Sequence, residues 1–181
     1  GKKSWDSVCK NTGFWGFFVD LNWLINAFVT LFVTIDPIGL APIFLAVTNG
    51  MSAAERRYVA LRACLIAGGL LIAFSILGNN ILELLGITLP AFRIAGGLLL
   101  FWIAFEMVFE KREERKKETA ERSISIDHIR NVAVFPLAIP LMAGPGAISA
   151  VILLSGGNAT LLDHITIIAV VSLIMAGTYV V

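Results

Sequence analysis

Long apolar runs separated by short polar stretches dominate this chain. The first extends from about Trp23 to Thr48, the second from about Leu61 to Leu85, and the third from about Leu89 to Phe109. A fourth covers Val132 to Ser155, and a fifth begins near Leu161 and reaches the end. Each is close to the ~20 residues that carry a helix across a ~30 Å hydrocarbon layer. None alternates as a barrel strand would, so the backbone must satisfy itself as helix. The pattern predicts five transmembrane helices, with Asn79 and Asn80 leaving the length of the second least defined.

Two of the runs are interrupted. The stretch VTIDPIGLAPIF, Val33 to Phe44, puts Asp36, Pro37, Gly39 and Pro42 inside the first run. Proline removes a backbone donor and clashes with the preceding turn, and Pro42 is expected to delay a clean restart for several residues. AIPLMAGPGAIS does the same in the fourth run, with Pro140, Gly144, Pro145 and Gly146. Pro37 lies about fourteen residues into its run and Pro145 about thirteen, so both breaks fall at similar depth. An odd number of crossings separates the two runs, which therefore point in opposite directions. Spans one to three and spans four onward read as two halves of an inverted repeat, and paired interruptions of this kind mark transporter sites.

Unwinding at mid-membrane frees N–H and C=O groups that lipid cannot satisfy, so protein, water or a ligand must do so. The half-helix after each break aims its positive N-terminal end at the centre, where a carboxylate would be held. Freed carbonyls and the Asp36 carboxylate could hold an ammonium group or a proton. A small amino-acid zwitterion meets both demands, with glycines leaving room for only a small side chain. An ionised carboxylate in the bilayer centre is costly unless paired, so Asp36 is the candidate for a coupling proton. It could equally cap the second half-helix. Thr30, Thr34 and Ser149 are weaker candidates, because hydroxyls in spans often bond back to their own helix. Glu106 and Arg93 lie near opposite ends of span three, where both could reach interfacial water.

Composition supports the membrane reading: 57% of the 181 residues are apolar and the mean hydropathy is +0.85. A net charge of +1 argues against a nucleic-acid partner. Cys9 and Cys64 are not expected to pair, no metal-ligand spacing occurs, and no cofactor is implied. His128 and His164 are read as solvated loop residues. The string IAGGLL occurs at Ile66–Leu71 and again at Ile94–Leu99, which predicts close packing of spans two and three through glycine.

Lys and Arg set the orientation. Ten of them, Arg56, Arg57 and Arg62 together with Lys111, Arg112, Arg115, Lys116, Lys117, Arg122 and Arg130, lie in or beside the loops after spans one and three. Those loops share one face, predicted cytoplasmic. Lys2, Lys3 and Lys10 precede span one, in a segment without a signal-peptide pattern, so the N-terminus is expected outside. The layout is then an interfacial segment over 1–22, a first three-helix repeat over 23–109, a charged loop over 110–131 and a second repeat over 132–181. The loop mixes signs and reads as a solvated extension of span three with no binding role. The chain starts without Met and stops in an apolar run, as a processed or truncated form would.

DPIGLAPIF, AFRIAGGLLLFWIAFEM and PLAIPLMAGPGAISAVILL resemble, in this order, the MarC family of bacterial and archaeal inner-membrane proteins. The resemblance covers about Leu24 to the end. It implies six spans, a cytoplasmic loop after the third and extracytoplasmic termini, so a sixth span is expected beyond Val181. It also implies transport of small neutral amino acids such as glycine and alanine, with Asp36 to Pro42 and Gly144 to Gly146 at the site by motif match. The expectation is an all-α polytopic bundle of inverted three-helix repeats with helices one and four broken. It is expected to be a secondary transporter in the inner (plasma) membrane and not an enzyme, with its oligomeric state open. Alternatives are an exporter of other small solutes or drugs, or a non-transporting scaffold. A channel would want rings of like groups. An intramembrane hydrolase would want a motif such as H-E-x-x-H or G-x-S-x-G, and neither occurs.

Overall fold

Proline placement decides where the first helices stop and start. A computed structural model describes residues 13–109, 112, 114–118, 133–156 and 161–181, with side chains from Leu21 onward except 133–136. Helix α1 spans Gly13–Ile35 and α2 spans Pro37–Val47, with one residue, Asp36, between them. The ring of Pro37 disfavours the α region for the residue before it, so the spiral cannot pass through Asp36. Pro37 then begins α2 at the position where a missing N–H costs nothing. The break is therefore narrower than the expected Asp36–Pro42 stretch, since Pro42 lies inside α2. Helix α1 also starts ahead of Trp23.

Helix α3 is Ala53–Leu84 and α4 is Leu89–Val108. A capping box fixes the start of α3: the Ser52 hydroxyl accepts from the Glu55 N–H while the Glu55 carboxylate accepts from the Ser52 N–H. Residue 112 and residues 114–118 are helical. A π-helical segment, Ala133–Met142, precedes α5 at Pro145–Ser155, and α6 is Leu161–Val180. Pro136 and Pro140 would each remove a rung from an α-ladder here; the wider π spiral runs on to the bond from Ala143 N–H to the Ala138 carbonyl, 2.9 Å. Ala143 and Gly144 form the second break.

Among the described residues, Leu21–Val47, Ala53–Leu84, Leu89–Val108 and Leu161–Val180 are long and apolar enough to cross a membrane, and Pro145–Ser155 is a shorter apolar helix. The chain is an all-α polytopic membrane bundle in which a broken first helix and two long ones are followed by a second broken helix and α6. The buried centre gathers Leu31, Ile35, Leu71, Val151, Ile167 and Val171 from α1, α3, α5 and α6. Ile94, Leu98 and Phe101 on α4 are exposed, as suits a lipid-facing surface.

Small and polar residues bind the bundle, but not where the IAGGLL repeat suggested. A Cβ on Gly68 would meet Met175 of α6 at 3.3 Å, and one on Gly96 would meet Leu153 of α5 at 2.9 Å. One glycine of each pair, Gly68 or Gly96, thus packs against an element of the second half, rather than joining α3 to α4. Ser75 of α3 and Ser155 of α5 share a buried hydrogen bond of 2.8 Å, and the Asn79 amide donates to the Ser155 carbonyl at 3.4 Å. That contact holds the polar end of α3 inside the bundle.

Candidate functional site

Asp36 occupies the left-handed region, with φ 57 and ψ 66, where a short polar side chain tolerates positive φ by bonding locally. Its N–H still donates to the Phe32 carbonyl at 2.8 Å, closing α1. Its own carbonyl accepts from Leu40 N–H at 3.1 Å, opening α2. One carboxylate oxygen accepts from the Gly39 N–H at 3.1 Å, the N-cap role considered from the sequence. Gly39 has to be glycine for this: a Cβ there would overlap the Asp36 carboxylate.

The break is finished by residues some eighty positions later. Arg112 donates through Nη1 to the Val33 carbonyl at 3.3 Å and through Nη2 to the Thr34 carbonyl, so the last carbonyls of α1 meet a guanidinium. Lys116 Nζ lies 2.9 Å from the second Asp36 oxygen. Both members of that pair are largely buried, with side chains 8% and 17% exposed. Burial lowers the pKa of Arg112 from its ordinary value, and the nearby Asp36 charge opposes that shift. The basic stretch after α4 is thus not a solvated extension throughout, because Arg112 and Lys116 are built into the broken helix.

Glu106 likewise turns inward. It is buried, and its Oε1 accepts from Trp102 Nε1 at 3.0 Å and from Arg115 Nη1 at 2.8 Å, while Oε2 has no partner. His164 lies in the first turn of α6 rather than in a loop, with its Nδ1 buried and unpartnered. His128 and Cys9 fall outside the described residues.

A cavity of about 350 Å³ lies against the second break and reaches the end of α1 at Thr34. Thr34, Trp102, Arg112, Arg115 and Lys116 line one side, and Pro140, Gly144, Pro145, Gly146 and Ala147 the other. Helix α5 opens onto it with no side-chain cap, since Gly144 has no side chain and Pro145 has no N–H. A Cβ on Gly144 would lie 2.6 Å from the Pro140 carbonyl oxygen, so the turn tolerates nothing larger. Gly146 is pressed by Ile103 of α4. The volume sits at the small end of the ~300–1,000 Å³ typical of ligand pockets.

The sequence-derived candidates divide accordingly. Thr34, Gly144, Pro145 and Gly146 reach the cavity directly. Asp36 and Gly39 stand behind it through Lys116. Pro37 lines a different, larger cavity of about 470 Å³, with Leu40, Phe44, Cys64, Leu137 and Tyr179. Pro42 is exposed on α2, and Ser149 is buried in α5 away from both cavities. Thr34 donates back to the Thr30 carbonyl at 2.7 Å, as hydroxyls in spans often do. The residues not foreseen are Arg112, Arg115, Lys116 and Glu106. Two signals called for a cationic partner without identifying it: an acid in a membrane span requires a counter-charge, and Arg112 and Lys116 are spaced to share a helix face at i, i+4.

Comparison with known proteins decides the family. Residues 21–181 match the MarC family integral membrane proteins. The chain belongs to the MarC family. A UPF0056 membrane protein of Methanocaldococcus jannaschii is 36% identical over 158 residues, covering 87% of this chain and 69% of its own length. Another, YvbG of Bacillus subtilis, is 32% identical over 165 residues, covering 87% of this chain and 75% of its own. YhcE of Escherichia coli is 40% identical over 135 residues, covering 75% and 62%. No solved structure matches the chain. Both breaks and this cavity fall within the MarC-matching region.

Proposed function

We propose that this MarC family chain is a secondary transporter of a small neutral amino acid, such as glycine or alanine, working by alternating access. The observation that carries the reading is one cavity shared by two broken helices, with an uncapped helix N-terminus and three cationic side chains on its walls. Such walls suit a carboxylate. The α5 N-terminus offers backbone donors and a positive dipole end, and the Arg112 and Arg115 guanidinium groups offer planar paired donors. Asp36 supplies the complementary anionic group for an ammonium. Gly144 and the crowding at Gly146 restrict the side chain that fits. In this reading Asp36 also carries a coupling proton, the basic face of the bundle lies in the cytoplasm, and the membrane is the inner one. The protein is a carrier, not an enzyme.

Proteoliposomes holding the full-length protein test the proposal by uptake and counterflow of labelled glycine and alanine, with and without a pH gradient. Saturable flux of either, lost on Asp36→Asn or freed by it from the gradient, is the expected result. Absence of saturable flux for every small neutral amino acid would overturn the substrate, and gradient dependence unchanged in Asp36→Asn would reject the proton role.

A further inference from the structure

In this structure the place at Asp36 suited to a substrate's ammonium is taken. Lys116 presents a primary ammonium to Asp36 Oδ2 at 2.9 Å, and the α-ammonium of an amino acid is the same chemical group with the same three donors. The neighbouring cations face other partners: Arg112 holds the carbonyls of Val33 and Thr34, and Arg115 holds Glu106. We propose that the Lys116 ammonium stands in for the substrate's ammonium at Asp36, so that the stretch carrying it is a tethered competitor that withdraws as the ligand binds. This rests on the amino-acid reading of the site given above.

Exchange is favoured over simple departure for a physical reason. Removing one partner of a buried ion pair leaves an uncompensated charge and is strongly destabilising. Replacing one ammonium by another leaves Asp36 paired both before and after the exchange. The Gly39 N–H holds the other oxygen throughout, so the carboxylate does not have to turn. A tethered group competes at an effective concentration on the order of millimolar. Free amino acid would then displace it only when a second interaction is added, and the carboxylate, facing the α5 N-terminus and the guanidinium groups, supplies one. A simple amine lacks that second contact and should fail to displace Lys116. The site would thereby read both ends of the zwitterion.

Thermal unfolding of the purified full-length protein in detergent tests this, with ethylammonium chloride as a probe that has an ammonium and no carboxylate. Lys116→Ala opens the space beside Asp36, so ethylammonium should raise its Tm while leaving the wild type unmoved. Tetramethylammonium, with equal charge and no N–H, should do nothing. The double variant Asp36→Asn/Lys116→Ala should lose the response. Glycine should bind Lys116→Ala roughly tenfold or more tightly than wild type once the competitor is gone. Lys116→Arg, whose forked donors grip the carboxylate, should bind it more weakly. Equal ethylammonium shifts in wild type and Lys116→Ala, or a shift that survives Asp36→Asn, would overturn the proposal. So would equal glycine affinity in wild type, Lys116→Arg and Lys116→Ala. If Lys116→Ala does not fold, Lys116→Gln and Lys116→Arg carry the same comparison. An Asp36-dependent ethylammonium response with no binding of any amino acid would uphold the ammonium place and reject the amino-acid reading alone.

Discussion

The two breaks solve one problem with different materials. At the first, the chain leaves its spiral for a single residue and charged side chains finish the bonding: Asp36 caps α2, Arg112 takes the carbonyls of α1, and Lys116 balances Asp36. At the second, no side-chain cap is present; the π segment carries its bonding across two prolines, and α5 starts bare behind Gly144. The first break is thus closed by its own protein, while the second has no side-chain cap where its residues line the cavity. A ligand has more to gain at the second, and must displace something at the first.

The first break therefore depends on charge. Asp36→Ala removes the α2 cap and strands Lys116, and should destabilise the protein by about 3–5 kcal/mol. Asp36→Asn keeps an oxygen for the Gly39 N–H and should cost less. Denaturant titration of the two variants in mixed micelles measures the difference. Equal losses would mean that the cap to the Gly39 N–H contributes nothing, whereas a negligible loss in Asp36→Asn would mean that the charge pairing with Lys116 contributes nothing, and the first break would then resemble the second.

The second break should respond to volume instead. Gly144→Ala places a methyl 2.6 Å from the Pro140 carbonyl oxygen, a backbone atom that cannot swing away. A loss of about 1–3 kcal/mol is expected, typical of overpacking, and it should be independent of salt. The same titration at low and high ionic strength checks both points. A negligible loss would show that the turn has slack and that glycine is not required there.

How far these differences could be read in advance follows from where each partner lies along the chain. The five apolar runs and both interruptions were legible, because span length and proline act locally, but α1 and α3 start about ten and eight residues ahead of Trp23 and Leu61, where polar residues had ended the apolar pattern. The α4 limits, Leu89–Val108, fall within one residue of those read from hydropathy. Asp36 as a cap was also legible, since Gly39 is three residues away. Lys116 and Arg112 were not, because nothing in a mixed-charge loop specifies which of its cations returns about eighty residues to a broken helix. IAGGLL misled for a related reason: a small-residue patch shows that a helix will receive a neighbour, but not which one.

Pro42 gives the finest test of where the first break ends. From composition it belonged with Asp36 and Pro37, yet it lies in the sixth position of α2 and is exposed. There it lacks the N–H that would bond the Ile38 carbonyl, and it touches neither cavity. Pro42→Ala restores that donor, so stability should rise by about 0.5–1.5 kcal/mol, the usual net worth of one hydrogen bond. A helix already formed from Pro37 onward gains from the extra rung. A chain that must stay unwound as far as Pro42 would instead lose the bend it depends on, and a drop in stability comparable to that of Gly144→Ala would extend the break to the second proline and make the two interruptions more alike than their bonding suggests.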